Sequence, residues 1–389
     1  MGAKERRILR VVPREAKCVF PIAAVRRESL PMRSFVYTGL QGRVLFGSGG
    51  IEKVAEEIRA LSCKRALVLS THQQSALAED LAARLGDLSA GTFTGAAMHT
   101  PVEVTEAALQ VVRQRQADCT VAIGGGSTTG LGKAIALRAN LAQIVVPTTY
   151  AGSEATPILG ETEAGVKTTR RTLKILPQVI VYDVDLTLSL PVPMSVTSGL
   201  NAIAHAVEAL YSPEANPVVA LLAKDGIAAL AHALPVIVKD ATDRDARSAA
   251  LYGAWLCGVC LGSVGMSLHH KLCHVLGGSF NLPHAETHAV VLPHAVAYNE
   301  PAATDALRPI AEMLEAPTAA DGLFNLGQRL GAPTTLKEVG MPLEGIATAA
   351  TLAVASPYPN PRPLDRDAIR KLLDDAYHGR RPGRGVGYH

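Results

Sequence analysis

Four short runs in the first half of the chain constrain the fold more than any other feature. RALVLS (65–70), CTVAIGGG (119–126), AQIVVPTT (142–149) and QVIVYD (178–183) are rich in β-branched residues, uncharged at their centres and bounded by turn signals. A continuous apolar run suits a strand buried on both faces, the condition found in parallel sheets. Between these runs, 51–61, 75–86, 103–116 and 130–138 carry helical periodicity. Alternating strands and helices predict an α/β domain with helices on both faces of its sheet.

After Pro191 the texture changes. Helical patterns dominate over 195–211, 214–239, 244–278, 285–298 and 302–315, with no strand of comparable quality. A chain of 389 residues also exceeds the usual length of one domain. The expected division is a basic extension over 1–31, an α/β dinucleotide-binding domain over 32–190, and an all-helical substrate and catalytic domain over 191–389. A cleft is expected between the last two. Residues 1–31 hold eight Lys or Arg against three Glu. They read as a poorly ordered extension or as a targeting or interaction arm. The Gly/Arg-rich tail HGRRPGRGVGYH reads as frayed.

Composition removes several classes of function. A net charge of +3 and 4% aromatic residues give no case for a nucleic-acid partner. The six cysteines (18, 63, 119, 257, 260, 273) lack the spacing of a secreted scaffold, and Cys257 and Cys260 read as buried packing residues. The longest apolar stretch, PVVALLAKDGIAALAHALPVIV, contains Lys224, Asp225 and His232 and reads as a soluble helix rather than a membrane span. The N-terminus lacks a continuous apolar signal-peptide core, so a cytoplasmic enzyme is expected.

Two turns carry cofactor chemistry. Gly124, Gly125, Gly126 and Ser127 close a strand and precede a helix containing Lys133. Glycines admit a pyrophosphate to the backbone, and a helix N-terminus offers free N–H groups and a positive dipole end. A tight structural turn is the plain alternative. In PTTYAGSEAT, Thr148, Thr149 and Ser153 offer hydroxyls to a cofactor or cap the next segment. Ser70-Thr71-His72 ends the first strand where dinucleotide-binding domains often place an acid on the adenosine ribose. Without that acid, Thr71 would not repel a 2′-phosphate, so NADH or NADPH is accommodated.

Histidine is concentrated elsewhere. Five of the twelve, His269, His270, His274, His284 and His288, fall in one short stretch, and His205 lies four residues after Asn201. His270 and His274 share a face if their segment is helical. Imidazoles titrate near neutrality and ligate metals, so the cluster marks a site.

GGGSTTGLGKAIAL, PTTYAGSEAT, LPQVIVYDVDLTLSLP, SGLNAIAHAVEALYSP and LHHKLCHVLGGSFNLPHAETHAVVLPHAVAYN resemble the iron-containing (group III) alcohol dehydrogenase superfamily, and within it the maleylacetate reductases. The resemblance spans about Met32 to Tyr377. It implies a dehydroquinate synthase-like architecture, a nicotinamide cofactor, a small dicarboxylate substrate and a homodimer. It also implies reduction of the carbon–carbon double bond of maleylacetate to 3-oxoadipate. Metal-bearing members hold Fe²⁺ or Zn²⁺ with an Asp and three His, at positions matching Asn201, His205, His270 and His284. Asparagine is a neutral, weaker donor than aspartate, so the resemblance implies chemistry without a required metal. If a metal binds, His205, His270 and His284 are its ligands.

For that reaction, Lys271 is the candidate cation for a dianionic substrate, or a solvated surface lysine. His274 is the candidate proton donor or orienter, with His269 and His288 in support. Tyr150 is placed to bond a substrate carboxylate or to pack beneath the cofactor. Lys167 matches a lysine that the superfamily sets near the cofactor ribose. The chain departs from the wider pattern at Gly130, where an acid is usual, and in its short TTYAGSE turn. A metal-dependent alcohol or polyol dehydrogenase and a lyase of the dehydroquinate synthase type are the competing readings.

Overall fold

The computed structural model describes residues 34–40 and 42–383. The expected basic extension over 1–31 and the end of the Gly/Arg tail lie outside the described residues. The four expected strands form as β2 (Ala66–Leu69), β4 (Cys119–Gly124), β5 (Ala142–Pro147) and β8 (Val179–Tyr182), joined by β1 (Arg43–Phe46) and β3 (Ser89–Phe93). All six run parallel in the order β1-β8-β5-β4-β2-β3.

Strand alternation explains why these runs are apolar throughout. Ala66, Val68, Val121, Ile123 and Ile144 pack with Val54 and Ile58 of α1 (Val54–Ala60) and with Ala78 and Leu81 of α2 (Ser75–Leu85). Leu67, Leu69, Ala122 and Val145 face the other way. They meet Leu109 and Val112 of α3 (Val102–Arg115) and Leu131 and Ile135 of α4 (Gly126–Ala139). Helices therefore cover both faces. The sheet order reverses between β2 and β4, so the crevice favoured for ligands opens where β4 runs into α4.

After β5 the chain forms an antiparallel hairpin, β6 (Ile158–Glu163) and β7 (Val166–Arg171), with Thr162 opposite Lys167. The sequence reading did not identify it, since ILGETE and VKTTRR carry too many polar residues to read as buried strands.

The rest is helical: α5 (Val192–Leu210), α6 (Pro217–Lys239), α7 (Arg244–Ser263), α8 (Leu268–Phe280), α9 (His284–Met313), α10 (Ala319–Arg329), α11 (Gly345–Val354) and α12 (Arg366–His378). Asn216 caps α6 through the N–H groups of Val218 and Val219, and Asp243 caps α7 through that of Ala246. Two helix expectations are corrected. The pattern over 244–278 is broken at Val264–Ser267, where α7 and α8 meet at 94°. The patterns over 285–298 and 302–315 join as α9, which bends at the non-helical Ala303. The apolar helix α6 has the length and hydropathy of a span, but Val219, Ile227, Leu230 and Leu234 lie in the protein core. Cys257 and Cys260 are buried free thiols in α7.

Backbone contact sets α7 against the loop after β5. A Cβ at Gly258 would stand 2.5 Å from the Gly152 carbonyl oxygen, and Gly152 itself has φ +78°. Only glycine permits this approach. Gly258→Ala is expected to cost about 1–3 kcal/mol, because a backbone oxygen cannot rotate aside. A urea midpoint equal to that of the parent protein would refute this account of the junction.

Candidate active site

Thr71, Gly125 to Ser127 and Thr148 to Ser153 follow the carboxyl ends of β2, β4 and β5. Asn201, Lys271 and the histidines lie on α5, α8 and α9, and Lys167 lies in β7. Gly125 precedes α4 and no side chain caps that helix, so the first N–H groups beside Gly126 and Ser127 remain available to a phosphate. Thr149 packs over Gly125, 3.1 Å from where a Cβ would sit. Thr148 is buried, and its hydroxyl accepts from Gln74 Nε2 at 3.0 Å. Thr71 precedes a short 3₁₀ turn at the end of β2.

The second turn is built around Lys133, a wholly buried amine that the sequence reading left without a role. Its Nζ donates to Ser153 O (2.6 Å), Thr156 Oγ1 (2.9 Å) and Ile158 O (2.8 Å). Burial lowers its pKa to about 7, against the opposing pull of buried Glu154. Ser153 is thus engaged from within the protein.

Tyr150 is not brought to an open surface. It is fully buried, and its hydroxyl accepts from Arg247 at 3.2 Å. Arg247, equally buried, also donates to Ser195 Oγ, Leu190 O and Ala241 O. It fastens the β5–β6 loop to the start of α5 and to the linker before α7.

The histidines are organised by a residue that the sequence reading missed. Glu208 is fully buried on α5, three residues after His205 and hence on the same face. Its carboxylate accepts from the backbone N–H groups of Ser267 (2.9 Å) and His269 (2.7 Å), at the start of α8, and from His270 Nδ1 (2.7 Å). His270 Nε2 lies 2.8 Å from His205 Nδ1, and His205 Nε2 lies 3.2 Å from the Ala151 carbonyl oxygen. The available signal was a lone acid inside the apolar run AIAHAVEAL.

Burial and the neighbouring His270 push the His205 pKa well below its ordinary value.

His269 Nε2 pairs with His288 Nδ1 at 2.9 Å in a fully buried second layer. His274 and His284 differ from these rings. Both are exposed, and neither makes a hydrogen bond among the described residues. Surrounding protein and then the Lys167 charge push their pKa values down. Lys271 is half-buried on α8, with its ammonium 5.8 Å from the Tyr358 ring centroid. Asn201 is buried one turn before His205, and its Oδ1 has no partner. A 450 Å³ cavity lined by Thr38, Pro157, Arg171 and Ser263, among others, shares no residue with this set.

Two family models match the chain: iron-containing alcohol dehydrogenase over residues 41–184, and the C-terminal part of the Fe-containing alcohol dehydrogenase family over 195–377. The maleylacetate reductase of a Rhizobium species is 58% identical over 90% of this chain and all of that protein. The chain belongs to the maleylacetate reductase branch of the iron-containing alcohol dehydrogenase family. The maleylacetate reductase of Sphingobium indicum is 55% identical over 90% of this chain and 99% of its own. The crystal structure of the Agrobacterium tumefaciens maleylacetate reductase superposes with a TM-score of 0.88 at 58% identity, covering 90% of this chain and all of that one. The protein is therefore an oxidoreductase of this family.

The family's metal-holding positions make a poor donor set here. Asn201 contributes a neutral oxygen. The His205 and His270 ring nitrogens are committed to each other and to Glu208. Among the described residues, His205, His270 and His284 do not bring three nitrogens within 4.8 Å of one another.

Acid sensitivity follows from the buried rings. Burial pushes the pKa values of His205, His269 and His288 well down, and that of His294 to about 4. Below about pH 6.5 the unfolded chain binds a proton at each position while the folded rings stay neutral. Stability is complete above that pH and falls as pH drops through it, by up to about 1.4 kcal/mol per pH unit for each ring. Thermal melts should show the midpoint falling from pH 7.5 to pH 5. An unchanged midpoint would contradict the buried, neutral assignment.

Proposed function

We propose that this protein reduces the carbon–carbon double bond of maleylacetate to give 3-oxoadipate, using NADH or NADPH and no required metal. The observation that carries the reading is the set of groups facing the substrate side. Two imidazoles without hydrogen bonds, His274 and His284, stand with Lys271 and a neutral Asn201 where a metal-bearing relative needs a carboxylate. High identity to maleylacetate reductases over 90% of the chain supports the same reading.

The uncapped start of α4, with Gly125, Gly126 and Ser127, seats the pyrophosphate, and Thr149 and Thr71 line the same crevice. When bound, the dinucleotide supplies a hydride. Maleylacetate is a dicarboxylate whose double bond is conjugated to a ketone. Accepting a hydride at the alkene carbon distal to the ketone turns the substrate into an enolate, with the negative charge largely on oxygen. His284 and His274 donate N–H to that oxygen, as preorganised donors do for a developing oxyanion. Protonation of the carbon next to the ketone completes the product, and His274 is positioned to deliver that proton. An arriving dianion offsets the charges of Lys167 and Lys271, which otherwise disfavour the His274 cation. Lys271 holds a carboxylate.

A Lewis acid polarises an isolated carbonyl well for hydride addition, whereas a conjugated enone already has an acceptor for the charge. This difference lets an asparagine stand at position 201. The reading includes a division at Pro191, with cofactor-binding residues 32–190 and substrate-binding residues 191–389, in keeping with family matches that end at 184 and resume at 195. It also includes a homodimer and a cytoplasmic location.

In an NADH-oxidation assay with freshly generated maleylacetate, turnover is expected to persist after exhaustive EDTA treatment. His274→Ala should lower kcat by about 10²–10⁴-fold. Activity abolished by EDTA and restored by Fe²⁺ or Zn²⁺ would replace this reading with a metal-dependent alcohol or polyol dehydrogenase.

A further inference from the structure

A second cluster of ligating side chains lies at the amino ends of the strands, the edge of the sheet opposite the glycine turn. Two loops meet there: 61–65, between α1 and β2, and 116–118, between α3 and β4. Asp118 ties them together. Its Oδ2 accepts from the Lys64 N–H at 2.8 Å and its Oδ1 from the Arg65 N–H at 2.9 Å. Its own N–H donates to Arg65 O at 2.9 Å, and the next residue, Cys119, pairs with Ala66 as β2 and β4 begin. β4 runs from Cys119 to Gly124, so at about 3.3 Å per residue the cluster stands roughly 16 Å from that turn.

The joined loops bring two thiols beside the carboxylate. Cys63 is buried near the rim, and Cys119 is fully buried at the first residue of β4. Cys63 Sγ lies 3.8 Å from the Asp118 carbonyl oxygen. Both sulfurs and a carboxylate oxygen lie within 4.8 Å of one another. Around a tetrahedral ion with bonds of about 2.0–2.3 Å, ligand atoms stand roughly 3.3–3.8 Å apart. Small side-chain rotations close the set to that spacing.

Each ligand atom has capacity to spare. Both cysteines are free thiols. Each Asp118 oxygen accepts one N–H and keeps a second lone pair. The Arg65 guanidinium is spent on Arg115 O, at 3.0 and 2.8 Å, rather than on the carboxylate. The Cys63 N–H donates to Ile58 O at 3.0 Å, which fixes the loop before any ligand arrives. Asp118 is exposed and gives an ion a route from solvent. Burial pushes the Cys119 thiol well up, with Cys63 and Asp118 adding to the effect, and burial raises Cys63 too. Both thiols therefore keep their protons until a cation displaces them.

We infer that Cys63, Cys119 and Asp118 form a site for one thiophilic divalent cation of the zinc and cadmium class, which clips the two loops together. Thiolate sulfur selects such ions over magnesium or calcium. The cation takes both sulfurs and a carboxylate oxygen, with water as the fourth ligand. The two thiol protons pass to solvent, and nothing is oxidised or reduced. Its role is structural and independent of the proposed reaction. Zinc retained by the isolated protein would then sit at the amino edge of the sheet rather than among the histidines.

Cadmium titration of the full chain, kept reduced with a phosphine, tests the site through the ultraviolet thiolate-to-cadmium charge-transfer band. The parent protein is expected to bind one equivalent with a micromolar or tighter dissociation constant. Cys63→Ser and Cys119→Ser should each abolish or sharply reduce the band and weaken binding by more than the roughly 10–100-fold that loss of an outer-shell partner costs. Asp118→Asn should weaken it less. NADH affinity, read by fluorescence, should stay within about twofold in each variant, which also shows that the variants fold. Cys63→Ser, at the rim, carries the test alone if Cys119→Ser does not fold. Absence of the band in the parent protein, or an unchanged band in Cys63→Ser, would overturn the inference. Cadmium bound without the band would place the ion among the histidines, and a band lost only in Cys257→Ser would place it on α7; either result overturns the site as well.

Discussion

Glu208 has no exposed surface, and a buried carboxylate persists only where fixed donors replace the water it has lost. Here the donors are two backbone N–H groups at the start of α8, His270 Nδ1 and, at 3.5 Å, the Tyr211 hydroxyl. The N-terminus of a helix also presents the positive end of its dipole to the charge. The 94° turn between α7 and α8 is what aims that terminus at Glu208. Once α8 is fixed, His270 sits in its first turn and His274 one turn further on. His205 approaches from α5, three residues before the carboxylate. One buried carboxylate thereby sets the relation of α5 and α8, which carry His205, His270 and His274.

The same charge explains how three imidazoles can gather beside an asparagine. A metal-bearing site of this family balances a dication against an aspartate. Here the His205 and His270 rings meet each other, and His270 Nδ1 meets the Glu208 carboxylate. Adding a divalent ion would break the hydrogen bond between the rings and place excess positive charge among groups that are already depressed as bases. Lys271 and Lys167 add positive charge that disfavours the His274 cation after burial has lowered its pKa.

The parts of the fold legible in the sequence are those with one dominant cause. The four buried strands had to be apolar on both faces, so their runs stand out, and each ends within a residue or two of its expected bound. β1 and β3 are short edge strands, and β6 and β7 form a two-stranded hairpin with an exposed face, so none carries that signature. The break between α7 and α8 was hidden because apolar periodicity continues through Val264–Ser267. The histidine cluster was legible as a site, but its wiring was not. Which ring nitrogen meets which partner depends on Glu208, and nothing local to the histidines names it. Tyr150 illustrates the same limit: its polar turn suggested a bond to a substrate carboxylate or packing beneath the cofactor, while Arg247, far along the chain, holds its hydroxyl in the core.

A continuous set of hydrogen bonds connects the two halves of the site. Lys133 rises from α4 and grips the loop after β5 through Ser153 and Thr156. That loop presents the Ala151 carbonyl to His205, which meets His270, which meets Glu208. Each link is buried or nearly so, and a buried donor or acceptor that loses its partner costs more than the bond contributed. The loop therefore cannot shift without stranding polar groups at both ends. The distance from α4 to the histidines is then set by backbone and buried side chains.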